Sequence, residues 1–185
     1  YFSRVPTLGR IPMNVVRSLF AIAFAWTAWA PQAISQEPSK PGPELDVLKK
    51  LVGEWDLTMK AGGQEFKGTV TYKMELGGLW LVSNMESELF GQKFYGKGLD
   101  SYDAGKKKYT SVWIDSMTSS PMVMEGTYDK EKKIMTMTGD GPGMDGKPMK
   151  FKSVSEFVDD KTLNFTMYMG DGKEPAFTIV YKKKK

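Results

Sequence analysis

Neither cysteine nor histidine occurs in the 185 residues, and these two absences exclude more chemistry than any motif supplies. Without cysteine there is no disulfide and no thiol for a lipoprotein anchor, so burial alone must hold the fold. Without histidine there is no Ser-His-Asp or Cys-His catalysis, no conventional His-ligated zinc site and no proximal-histidine haem. Charge of one sign is also scarce once the first residues are set aside. Removing Arg4, Arg10 and Arg17 from 26 basic residues leaves 23 against 22 acidic ones, a net charge of +1. That balance, together with the lack of a recognition motif, argues against a nucleic-acid partner. The main apolar run, Ser18 to Ala30, falls short of the roughly 20 apolar residues that a bilayer span needs.

The context of that run reads as a leader. Met13 to Arg17 form a short basic start, and Ala33-Ile34-Ser35 supplies a candidate cleavage site, so a signal peptide is expected over 13–35 with an upstream extension at 1–12. A buried amphipathic helix fits less well, because Phe20, Phe24, Trp26 and Trp29 lie all around a helical wheel. The expected product is periplasmic or secreted, with no transmembrane anchor after cleavage. Cleavage after Ser35 leaves 150 residues, enough for one domain. Pro38, Pro41 and Pro43 mark an extended linker at 36–43, leaving a domain over 44–185.

Within that domain, Leu45, Leu48, Leu51 and Val52 recur at helical spacing over 44–52, with Glu44 and Asp46 early and Lys49 and Lys50 late, and Gly53 ends the pattern. One short N-terminal helix is expected to lid or plug one end of a sheet. Beyond it, apolar and polar residues alternate in about ten stretches, near 55–60, 66–76, 79–89, 93–102, 109–116, 122–128, 134–138, 149–158, 162–169 and 175–182. Period-two alternation buries one face of a strand and wets the other. The separators, such as Ala61-Gly62-Gly63, Gly77-Gly78, Asp103-Ala104-Gly105 and Asp159-Asp160, are too short for crossover helices and read as hairpin turns. Successive hairpins make an all-β, antiparallel up-and-down meander. The longer stretch Gly139 to Lys147 reads as a mouth loop. Asp140 and Asp145 lack the alternating oxygen ligands and closing glutamate of a calcium loop.

Parity nominates the interior. Val70, Tyr72, Met74 and Leu76 share one face, and later strands add Met122 with Met124, Met135 with Met137, Phe151 with Phe157, Phe165 with Met167 and Met169, then Phe177, Ile179 and Tyr181. Over 79–89 and 93–102 parity is weak, with Trp80, Val82, Phe94 and Tyr95 on mixed faces. Thirteen methionines, only Met13 of them in the leader, are many for such a domain. Methionine is flexible and polarisable, so it serves both as core filler and as an adaptable lining for apolar ligands. Read as a lining, the face gives ten candidate ligand-binding residues: Tyr72, Met74, Trp113, Met122, Met124, Met135, Met137, Phe151, Phe165 and Met167. The Met-X-Met pairs are the kind of thioether spacing that suits Cu(I), but no His or Cys stands beside them. No metal site, cofactor or catalytic residue is expected.

The residues Leu51-Val52-Gly53-Glu54-Trp55, Tyr72-Lys73-Met74, Leu76-Gly77-Gly78, Trp80-Leu81-Val82 and Gly96-Lys97-Gly98 with Asp100, Tyr102 and Asp103 resemble the bacterial family catalogued as domain of unknown function 1579. Lys107-Lys108-Tyr109, Trp113 with Asp115-Ser116, Glu125 to Asp129 and Thr138-Gly139 extend the likeness over most of 44–184. Gly53-Glu54-Trp55 is also similar to the Gly-X-Trp opening of lipocalin-like calycin barrels. The resemblance implies a lipocalin-like or fatty-acid-binding-like barrel and carries no reaction. Haem-binding calycins use a wall histidine, which is missing here.

Three functions follow. The leading one is a non-catalytic carrier or sensor whose partner is a small hydrophobic molecule held inside the barrel. The second is an enzyme built on tyrosines and the strand carboxylates Asp100, Asp115 and Glu125, one of which would need to point into an apolar interior to be poised for proton transfer. The third is an envelope-interaction protein using a sheet edge or the tail Lys182 to Lys185.

Overall fold

The computed structural model describes residues 40–143 and 146–185. The expected leader, its upstream extension and the first part of the linker lie outside the described residues.

A 3-10 turn, Pro43–Leu45, runs directly into α1, Asp46–Lys49, and the chain then enters the first strand at Gly53. Ten strands follow: β1 Gly53–Ala61, β2 Gln64–Glu75, β3 Trp80–Leu89, β4 Gln92–Asp103, β5 Lys108–Asp115, β6 Thr118–Asp129, β7 Ile134–Pro142, β8 Pro148–Asp159, β9 Thr162–Met169 and β10 Phe177–Lys183. Each pairs antiparallel with its sequence neighbour, and β1 closes on β10 from Trp55 against Lys183 to Ala61 against Phe177. The sheet is therefore a closed up-and-down barrel. Among the described residues, closure gives every strand a hydrogen-bonded neighbour on both sides.

Hydrophobic alternation and turn chemistry cooperate to set this register. On β1, Trp55, Leu57 and Met59 are buried while Glu54 and Asp56 face out, and the same parity repeats on β2 through Phe66, Val70 and Tyr72. Gly77 and Gly78 take φ of 71° and 82°, the left-handed backbone that the β2–β3 connection requires. Two strands exceed their expected limits most. β6 starts at Thr118 despite Pro121, and β7 continues through Gly139-Asp140-Gly141 to Pro142, so the expected mouth loop shrinks to a tight tip closed by Gly143 N–H donating to Lys147 C=O at 2.7 Å.

The two ends of the barrel differ. At one end Leu45, Val47, Leu48 and Leu51 are all buried, sealing it as the helical pattern predicted. Trp55, only 2% exposed, donates its indole N–H to the Leu51 carbonyl at 2.7 Å, and Tyr109 donates its hydroxyl to the Glu44 carbonyl at 2.7 Å. Lys183 donates to the Lys50 carbonyl at 3.1 Å, with its ammonium 5.4 Å from the Trp55 ring centre. The other end is formed by the tips of the β1–β2, β3–β4, β5–β6, β7–β8 and β9–β10 connections and, among the described residues, has no helix over it. Among the described residues, no helix is long and apolar enough to cross a membrane.

Candidate functional site

Beneath the helix lies a polar floor. Tyr72 stands three residues from the end of β2, Asp100 three from the end of β4, Ser111 three from the start of β5 and Tyr181 two from the end of β10. All four side chains belong to the inward parity of their strands, which brings them together just below Trp55 and Tyr109. Tyr72 donates its hydroxyl hydrogen to Tyr181, and Ser111 donates to the Asp100 carboxylate. Burial pushes the Asp100 carboxyl up to about 6, with only the Ser111 bond opposing it. Burial also raises Tyr72 and Tyr181, and the nearby Asp100 charge adds to both shifts, so both phenols stay neutral across the physiological range.

Asp100 is enclosed by protein on all sides yet keeps intermediate surface accessibility. Glycines flank it on the inward face of β4. A Cβ on Gly96 would run into the ring of Trp113, and one on Gly98 would sit 2.5 Å from Ser83 Oγ and 3.6 Å from Asp100 Oδ2. The effect of these glycines is to let the Trp113 indole lie flat on β4, stacked near Phe94 with ring centres 6.5 Å apart.

Above the floor the lumen is a methionine throat. Ten of the thirteen methionines are buried in the core or packed against it. All ten candidate ligand-binding residues face this interior. Tyr72, Met124, Met135, Met137, Phe151 and Met167 are buried, and Met74, Trp113, Met122 and Phe165 are half-buried against them. They do not form one cluster, because they span the height of the barrel: Tyr72, Met74 and Met135 lie in the helix half, and Trp113, Met122, Phe151 and Met167 in the other.

The mouth is apolar and half-exposed. Phe90, at the β3–β4 tip, is 62% exposed and packs edge-to-face on Phe66 with ring centres 4.7 Å apart, while Met117 at the β5–β6 tip is 65% exposed. Half-buried Met149, Met169 and Phe177 continue this rim. Two pockets flank the lumen. One of about 40 Å³ lies at the helix end between Leu51, Trp55, Phe157 and Leu163, with Lys50 and Lys133 at its edge. The other, about 530 Å³, is an open groove on the outer wall along Asn84, Glu86, Tyr95, Lys97, Ile114 and Ser116. Neither runs down the axis, which the core methionines line.

The three strand carboxylates separate. Glu125 faces outward to Lys106 and Lys108, and the hydrogen bond from Lys106 holds its carboxyl below the ordinary range. Asp115 lies at the mouth, accepting from Trp113 Nε1 at 2.9 Å and from the Met117 N–H at 2.8 Å. Asp100 and Asp115 pair with residues four positions apart along β5 and β4, roughly 13 Å at the rise of a strand. They do not converge, so no carboxylate pair exists for concerted acid and base work. Sequence reasoning missed the floor as a unit. Asp100 and Tyr181 were each visible on strands, but the glycines and serines among the inward positions of β3 and β4 hid the parity that turns Asp100 inward.

Comparison with solved structures agrees with the barrel. The crystal structure of Rv2717c from M. tuberculosis matches with a TM-score of 0.56 at 14% identity, over 78% of this chain and 99% of that one. A de novo designed fluorescence-activating β-barrel gives a TM-score of 0.45 at 11% identity, over 75% of this chain and 98% of the design. At these identities the likeness to Rv2717c is one of fold alone. No curated protein matches the chain in sequence. The family model described as "Protein of unknown function (DUF1579)" covers residues 40–183, and the chain belongs to that family.

Proposed function

We propose that this protein is a non-catalytic carrier or sensor that takes a small apolar molecule into its barrel through the end opposite the helix, and that it works outside the cytoplasm. The location rests on the leader-like residues 13–35. One observation carries the binding reading: the barrel is sealed at one end and apolar at the other, with Phe90 and Met117 each more than 60% exposed at the rim. Large apolar side chains left in water at the entrance of a concave, apolar interior support ligand entry there. The methionine throat supports the same reading, because unbranched thioether side chains can swing aside for a guest at low cost in rotamer energy, whereas β-branched residues cannot. Native mass spectrometry of the purified protein, followed by titration with an apolar fluorescent dye, tests the proposal. A co-purified molecule or saturable one-to-one uptake of the dye is expected. Absence of both would overturn it.

A further inference from the structure

Asp100 stands out among the buried groups as an anion at neutral pH that lacks a cation. Ser111 donates to it, and the titratable groups acting near it are the neutral phenols Tyr72 and Tyr181. A carboxylate can accept about four hydrogen bonds, and a buried one without a partner carries a large desolvation penalty. Lys183, the inward lysine at the helix end, is bound to the Lys50 carbonyl and lies over Trp55, and the sequence has no arginine after Arg17. Asp100 keeps intermediate accessibility on the inward face of β4, and the way from it to the mouth is lined by methionine and aromatic side chains.

We infer that the guest is an amphiphile with a hydrogen-bond-donating, preferentially cationic head, which it seats against Asp100 and the Tyr72–Tyr181 pair while its apolar tail fills the methionine throat toward Phe90. This rests on the carrier reading and names its ligand class. The lumen has an acceptor at its floor and an apolar wall above it, so a head-down orientation satisfies both ends of such a molecule. A carboxylate head would meet Asp100 as a like charge, with no cation acting on Asp100 among the described residues to offset it, and is selected against.

Isothermal titration of the full chain at pH 7.5 with decylamine, decanol and decanoate separates these heads on one tail. Decylamine is expected to bind about tenfold or more tighter than decanoate, with decanol between them, as fits a hydrogen bond to a charged acceptor. In the Asp100→Asn variant, which keeps the shape of the side chain and removes the charge, the preference should shrink to within about threefold. Tyr72→Phe provides a second variant and should weaken decanol, which needs the floor hydroxyls, more than it weakens the charge preference. Decanoate binding as tightly as decylamine, or an amine preference unchanged in Asp100→Asn, would overturn the inference while leaving the carrier reading intact. Saturable binding of none of the three would remove both.

Discussion

Replacing Asp100 by asparagine should stabilise the ligand-free protein at neutral pH, although the substitution removes a buried group that already has a hydrogen-bond partner. Burial lifts this carboxyl from its ordinary value of 3.8 to about 6 in the folded chain. The folded state therefore binds more protons than the unfolded state between these values, and the free energy of unfolding falls as pH rises through that window. A shift of about two units, at about 1.4 kcal/mol each, gives a loss of about 3 kcal/mol that is complete above pH 6. Asparagine has no such charge to bury and can still accept from Ser111. Urea unfolding of both proteins at steps between pH 4 and pH 8 measures the difference directly. The gap should be small at pH 4, open progressively in favour of the variant, and level off near 3 kcal/mol above pH 6, to order of magnitude. Depressed carboxyls such as Asp129 and Asp159, held low by backbone N–H donors from Lys132 and Lys161, bend both curves the opposite way and cancel in the difference. A difference that is flat with pH, or a variant less stable at pH 7, would show that Asp100 is not carried as a destabilised buried anion.

Other expectations follow from single contacts. Gly96→Ala should expel the Trp113 ring from β4, costing about 1–3 kcal/mol as overpacking does and removing near-ultraviolet circular dichroism from that indole. Trp55→Phe keeps most of the apolar bulk but leaves the Leu51 carbonyl without its 2.7 Å donor, so chemical denaturation should report a loss of about 1–3 kcal/mol. Tyr109→Phe removes the hydroxyl bond to Glu44, and hydrogen exchange should then quicken over 45–51 while the strands keep their protection. Changing Met135 and Met137 together to leucine should alter stability by less than about 1.5 kcal/mol yet narrow the range of apolar guests taken up, read by competition against a bound dye.

Much of the barrel was legible because strand alternation and hairpin turns are local signals. About ten strands were expected and ten are present among the described residues, with ends displaced most on β6 and β7. β6 was expected near 122–128 yet begins at Thr118, and the turn-like Gly139-Asp140-Gly141 lies within β7 instead of ending it. The methionine wall was legible from parity on β6, β7 and β9. The polar floor was not, because an inward position on β3 or β4 is as often Ser or Gly as an apolar residue: Ser83, Gly96 and Gly98 follow no hydrophobic period.

Residue order alone thus determined the strand number, the antiparallel pairing of neighbours and the exclusion of histidine and thiol chemistry, since all three depend on composition or on contacts close along the chain. Tertiary structure decided the register in which β1 meets β10, that Phe90 and Met117 rim the end away from the helix, and that Asp100 comes to lie among Tyr72, Ser111 and Tyr181. Those relations join residues as far apart as 72 and 181, and only closure of the sheet into a barrel brings such distant side chains into one enclosed space where burial can change their chemistry.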